Sequence, residues 1–334
     1  VETAGDGSDL SVSGNITTAQ DLDLVAVDQV NLNSGTITGR NAVISAGGTI
    51  TQAVGQNFAN LAVTSLGLRS GADIGSSGDH FVFDTTNLVV STPGNDAFLQ
   101  DADDLTIVNS VTGVNETVTG NSGDDLRFVS GTELTVDSSV ASFTANDIDL
   151  VARNNVVLNG DVNAVNNIVI RADSDNNGVG GISQTQGETL TATQIGLSAG
   201  DGGIGTAGAD TNAIDINATD LALETSGNAN VLDSAGGVRL VETVTAVTES
   251  VGTLGGTTTI GGSLELEADG GDTAALTIND DVTVGQGSDL VADDDVVITV
   301  SSNEKISGVP SVTVHNDDGS NTKALSVIVK TTTS

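Results

Sequence analysis

One short turn, Asp173-Ser-Asp-Asn-Asn-Gly178, carries metal-type ligands in the pattern of a cation loop. Oxygen ligands at alternate positions, closed by a glycine, match the first half of a D-x-[DN]-x-[DN]-G calcium loop. A hard cation takes carboxylate and amide oxygens, and the glycine permits the sharp bend. Asp173, Asp175 and Asn177 are therefore the candidate Ca2+ ligands. Position twelve of such a loop falls on Gln184 rather than on a glutamate, and Glu188 lies four residues further on. An ordinary Asx-rich turn accounts for the same residues without a metal. Further acidic groups occur at Asp101/Asp103/Asp104, Asp124/Asp125, Asp293–Asp295 and Asp317/Asp318. Carboxylates stacked on successive strands would lie about 5 Å apart and repel, so either solvent screens them or cations bridge them. Gly94-Asn-Asp-Ala-Phe-Leu99 has the opening of a calcium-binding nonapeptide, but it does not recur in tandem.

Catalytic constellations are thin. The two histidines, His80 and His315, are far apart, and Cys, Trp and Tyr are absent. No Ser-His-Asp set, phosphate loop, Cys/His metal spacing or dinucleotide fingerprint stands out. A glycan hydrolase would need one defined carboxylate pair in a cleft, and acidic pairs are too common here to mark one. The expectation is a protein that is not an enzyme. Forty-five acidic against nine basic residues give a formal charge of −36, which repels nucleic-acid phosphate and anionic headgroups. Nucleic acid is not an expected partner. No apolar run is long enough to span a bilayer, so membrane insertion is not expected either.

The elements that must carry these residues are strands. Hydrophobic content is 37%, drawn from Val, Ile, Leu and Ala with six Phe, and β-branched residues of this kind stack well on strands. Alternation at period two is plain in Leu22-Asp-Leu24, Val30-Asn-Leu32, Phe81-Val-Phe83 and Leu264-Glu-Leu266. Helical periodicity is nearly absent. An Asp or Asn followed by an aliphatic residue opens strand after strand, as at Asp21-Leu22, Asn60-Leu61, Asn87-Leu88, Asp147-Ile148 and Asp220-Leu221. The intervals are about 17–26 residues, the length of one turn of a parallel β-helix. An Asx side chain there can accept a turn N–H and close a corner.

The chain is also duplicated. Thr18–Gln52 matches Thr144–Gln184, with Asp23 on Asp149, Leu24 on Leu150, Val30 on Val156 and Ile44 on Ile170. The six extra residues of the second copy fall in the Asp173–Gly178 turn, where a solenoid tolerates insertion. The match continues from Phe81–Leu88 to Ile214–Leu221, and Leu99, Leu105 and Ile107 pair with Leu232, Val238 and Leu240, so 18–107 corresponds to 144–240. A third fragment, Asp289–Ile298, mirrors Asp149–Leu158. These patterns predict an all-β parallel β-helix, or β-solenoid, over residues 1–304, with about 16 coils and a rod of ~75 Å at ~4.8 Å per coil. Residues 305–334 carry all three lysines and a dense apolar strand, Ala324–Lys330. They are expected to cap the solenoid or join it to a neighbour.

Four stretches carry a family resemblance: Asn41–Gln52 (NAVISAGGTITQ), Ala172–Gln184 (ADSDNNGVGGISQ), Gly202–Gly208 (GGIGTAG) and Asp215–Thr225 (DINATDLALET). In these the chain resembles the filamentous-haemagglutinin-type β-helical adhesins and the related giant repetitive exoproteins of bacteria, over most of residues 10–300. The resemblance implies a right-handed parallel β-helix, export across both membranes and a place on the cell surface or in the extracellular matrix. The family's amino-terminal secretion domain and any carboxy-terminal membrane barrel are not visible in these residues. With no signal peptide and a start at Val1, the chain reads as a processed product or an interior piece of something longer. The expected function is a stiff acidic shaft or filament building block, with itself or surface glycans and proteins as partners. One alternative is a subunit that self-assembles end to end through the carboxy-terminal strand. The other is a glycan-active β-helix enzyme.

Overall fold

The computed structural model describes residues 1–3, 7–53, 58–141, 143–205, 213–234 and 236–252, and beyond these the strands 258–260, 263–268, 276–278, 282–284, 287–292, 296–298, 306–308 and 312–316. Asp293–Asp295, Asp317, Asp318 and the strand expected at Ala324–Lys330 lie outside the described residues. The protein is almost entirely β, a solenoid of stacked parallel strands making about ten turns. It forms two compact units, Val1–Ala152 with Asn159–Asp161, and Arg153–Leu158 with Val162–Ser334.

In the first unit, Leu22–Ala26, Ile37–Ala46, Leu61–Ser70 and Phe81–Ser91 stack in parallel. Leu24, Ile44, Leu68 and Val90 share one register and are fully buried. A second column runs through Leu10, Val30, Ile50, Ile74, Ala97, Leu126 and Ile148, one residue per coil. In the second unit Ile170, Leu197 and Leu223 repeat the first column. Each buried aliphatic side chain contributes about 1.5–3 kcal/mol, and a column removes every member from water at once.

Ten turns rather than sixteen follow from coils longer than ~20 residues. Ile37 pairs with Leu61, Ile168 with Ile195 and Ala97 with Leu126, steps of 24, 27 and 29 residues. The surplus goes into outward loops. The register also corrects one alignment. Phe81 pairs with Leu99, and Ile214 pairs with Val231, so Leu99 corresponds to Val231 and not to Leu232. Val231 is buried and Leu232 is not, because a one-residue slip sends a strand's side chains to the opposite face.

Several Asx residues that precede strands accept N–H groups, but the donors belong to the next coil rather than to the expected local turn. Asp9 accepts from Gln29, Asn15 from Thr36, Asp73 from Asp96, Asp96 from Asp125 and Asn155 from Gly181, at 3.0–3.2 Å. These side chains therefore tie coil to coil. Gln52 does the same with its whole amide, donating to the Val82 carbonyl (2.7 Å) and accepting the Val82 N–H (2.8 Å). Gln184 repeats the bridge on Asp215, at 3.4 and 2.5 Å.

Candidate functional site

Two antiparallel hairpins break the parallel plan, and they occupy equivalent places. Ser110–Thr112 pairs with Thr117–Thr119, and 133 residues later Thr243–Thr245 pairs with Ser250–Gly252. Each arm lies over the outer face of its own unit. Beneath the first arm, Val43, Gly67 and Val89 are in register on three successive coils. Val111 and Val118 of the arm bury Val43 and Val89 in a small second core, with Val108 against its edge. Beneath the second, Val169, Gly196 and Ala222 are in register, and Val244 and Val251 cover them. The central glycine makes room for the arm. A Cβ on Gly67 would lie 3.2 Å from Val118, and one on Gly196 3.0 Å from Val251.

An arginine clamps each arm. Arg69 meets the Glu116 carboxylate (3.3 Å) and the Thr117 carbonyl, while Arg171 meets Glu249 (3.1 Å) and the Ser250 carbonyl (2.5 Å). The first tip has a further catch. Buried Asp23 accepts N–H groups from Val114 (2.9 Å), Asn115 (2.6 Å) and Glu116 (3.2 Å). Gly113 is required there, since a Cβ would fall 1.9 Å from an Asp23 oxygen. The sequence carries a signal for these arms that pattern reading at period two passes over. Ala42-Val-Ile44, Leu88-Val-Val90 and Ile168-Val-Ile170 are apolar on both faces, so the outward residue needs a cover.

The calcium-type turn is occupied from within. Asp173 adopts φ 61° and Asn176 φ 54°. The two Asp173 oxygens accept the N–H groups of Asn177 (2.9 Å) and Gly178 (3.1 Å). Asp175 is held by Arg153 (2.7 Å) and the Asn177 amide (3.0 Å), and the hydrogen bond from Arg153 keeps its carboxyl below the usual carboxylate range. Gln184, the twelfth position, is committed to its bridge with Asp215. The donor set thus fits an internally bonded turn, and among the described residues no group of three or more His, Asp or Glu side chains is arranged to hold a metal.

The remaining acidic clusters are divided by burial. Asp101 is 1% exposed and accepts N–H groups from Thr85 (2.8 Å) and Asp103 (2.9 Å). Burial pushes it up to about 7 against the pull of those two bonds, and Asp84 and Asp103 add to the rise. Asp125 is pushed up to about 6, chiefly by burial and then by Asp96 and Asp147 in the same acidic corner. Asp104 takes the Thr132 hydroxyl and the Glu133 N–H.

One cleft, of about 280 Å3, opens in the first unit between Thr49–Ala53 and Asp73–Val82. Buried Ile50 and Phe81 and the bridged Gln52 line it. Ser76 and Asp79 exchange backbone bonds (2.9 and 3.1 Å) and fold a tight lip at its edge. His80 lines the cleft and stacks on Phe98, with ring centroids 6.3 Å apart and planes 11° from parallel. His315 lies in the strand Val312–Asn316.

These features define a β-solenoid protein with paired surface arms. No family model matches the chain, and no curated protein or solved structure matches it either.

Proposed function

We propose that this chain is a stiff, acidic shaft segment of a secreted bacterial surface exoprotein of the filamentous-haemagglutinin-like kind, with a mechanical rather than catalytic role. The arms carry this reading. Twice, at equivalent positions, a hairpin crosses three coils and is locked to them by an apolar core and an arginine clamp. Such a brace resists sliding and peeling of coils, the motions by which a stack of nearest-neighbour contacts fails. The charge supports a place in solvent and not on nucleic acid. All six arginines lie in ion pairs with carboxylates, at 2.6–3.3 Å, so no arginine is left over to form a basic patch.

Single-molecule pulling from both ends tests the proposal. The expected trace has force-resistant steps, and removing one arm's valine core lowers the force of one step. Extension at the low force of an unstructured linker, or turnover of a polysaccharide by the purified chain, would overturn it. For the cellular assignment, protease added to intact producing cells should cleave the protein. Full protection in intact cells would place it elsewhere.

A further inference from the structure

The first arm keeps one backbone edge open. Gly113 donates to Glu116 (2.9 Å) and Gly120 to Asn109 (2.8 Å), which places the bonded pairs of the hairpin at Gly113/Glu116, Val111/Val118 and Asn109/Gly120. Residues between bonded pairs of an antiparallel ladder turn their N–H and C=O groups the other way. Those of Ser110 and Thr112 therefore point away from Thr117–Thr119. Among the described residues, Ser110–Thr112 pairs with no other strand. Of these outward groups only the Thr112 carbonyl is engaged, by the Asn41 amide at 3.3 Å.

That edge borders a groove of about 330 Å3. Its floor is Asn41, Ser65 and Asn87, in register on three successive coils, two positions before Val43, Gly67 and Val89. These floor residues are half-buried, and Ser110, Thr112 and Ser139 on the walls are exposed, so all six present polar groups to a ligand. Asn87 donates to Ser65 (3.2 Å), and among the described residues no donor reaches the side-chain carbonyls of Asn41 and Asn87. In a chain of charge −36, no charged residue lines this groove. No aromatic ring lines it either.

The second copy treats the same place differently. Its equivalent column is Asn167, Gln194 and Asp220. There the Gln194 amide donates to Asp220 (2.8 Å), and Arg239 pairs with Asp220 (2.6 Å). That floor is charged and bonded within itself, so the neutral, open floor of the first copy is not needed to seat an arm.

We propose that the Ser110–Thr112 edge takes up an extended peptide as a third strand of the arm, from a segment rich in uncharged polar residues. The spacing carries the choice of occupant. Paired strands lie about 4.8 Å apart, and outward residues two positions apart on one strand lie about 7 Å apart. The two arm strands straddle the Val43 column, so a third strand falls directly above Asn41, Ser65 and Asn87. Its main chain meets the Ser110 N–H and C=O and the Thr112 N–H, as in strand addition at a sheet edge. Every second side chain points down to the Asn/Ser floor, which suits a hydroxyl or an amide and leaves a buried charge without a counter-ion. A sugar would find neither a ring to stack on nor a second use for an alternating backbone edge. The site stands apart from the mechanical reading, since an open edge pairs whether or not the chain bears force.

The test follows backbone amide resonances of the full chain by NMR while acetyl-Asn-Thr-Ser-Thr-Asn-amide is added. The expected result is a saturating shift of the Ser110 and Thr112 amides, with their hydrogen exchange slowed and Thr243 and Thr245 unmoved. An analogue N-methylated on its two threonines keeps every side chain but loses the edge-facing donors, and should bind about tenfold more weakly or worse. Thr112→Pro removes one edge N–H at a position where a strand tolerates proline, and should also weaken binding. No saturating shift, equal binding of the methylated analogue, unchanged affinity in Thr112→Pro or equal shifts at Thr243 and Thr245 would each overturn the proposal. So would tighter binding of maltotriose at the same amides, which would make the groove a glycan site.

Discussion

The arm at Ser110–Thr119 and the arm at Thr243–Gly252 cover equivalent columns, yet their tips are seated by different chemistry. In the first, three backbone N–H groups close on the Asp23 carboxylate, and Gly113 lets the chain come close enough. In the second, Ala246 stands where Gly113 does, and its methyl group packs on the valine core. The two tips share the turn bond, Gly113 to Glu116 at 2.9 Å and Ala246 to Glu249 at 3.1 Å. A duplicated element can thus keep its middle while its end is refitted to whatever lies beneath. The Gln bridge gives the same lesson, since it is kept in both copies while the stacked His80 and Phe98 are replaced by Ala213 and Asn230.

The largest effect is expected where the two arms agree. Val118→Asp or Val251→Asp would place a charge in a closed apolar core and cost about 3–4 kcal/mol, either one freeing its arm. Limited proteolysis should then cut within the altered arm alone. Loss of both arms together would mean that they are not independent braces.

Glycine and alanine at the tips should separate the arms. Gly113→Ala drives a methyl group into the Asp23 catch and should cost about 2 kcal/mol, through the clash and the unmade bonds. Ala246→Gly should cost about 1 kcal/mol or less, the loss of one methyl contact and some backbone order. Equal losses in chemical denaturation would show that the catch at Asp23 contributes nothing.

Acidity should act through Asp101. Its folded value of about 7 lies above the ordinary carboxylate value of about 3.9. Between those limits the folded chain holds a proton that the unfolded chain has lost. The contribution of Asp101 to stability is therefore greatest below pH 4, falls as pH rises through that window and levels off above 7. Asp125, at about 6, acts in the same direction. The melting temperature should be higher at pH 5 than at pH 8, and Asp101→Asn should flatten much of that slope. An unchanged slope in the variant would remove Asp101 as its source.

Smaller differences separate the clamps. Arg171 and Glu249 are 23% and 21% exposed, against 42% and 35% for Arg69 and Glu116. A double-mutant cycle should give the second clamp the larger coupling, with both within about 1 kcal/mol. The smallest response is expected from calcium. With the Asp173 oxygens and Gln184 already bonded, millimolar Ca2+ against chelator should leave the melting temperature nearly unchanged. A rise of several degrees would identify Asp173, Asp175 and Asn177 as ligands.

Much of this was legible in the chain. Period-two alternation, β-branched aliphatics and Asx-led strand starts determine a parallel solenoid, because each is a local property of a strand or a corner. The duplication also shows in Asp23/Asp149, Leu24/Leu150 and Ile44/Ile170, since equivalent layers of a stack demand equivalent residues. Tertiary structure alone decided the partners. The length of a coil depends on how much chain leaves the stack, which the spacing of Asx residues does not record. Whether Asp173 faces a metal or its own backbone depends on φ at Asp173 and Asn176 and on Arg153, twenty-two residues before Asp175. Asp23 looks like any outward Asp of an alternating strand, and it becomes the catch of an arm only because residues about ninety positions later fold back across the coils and bring three N–H groups to it.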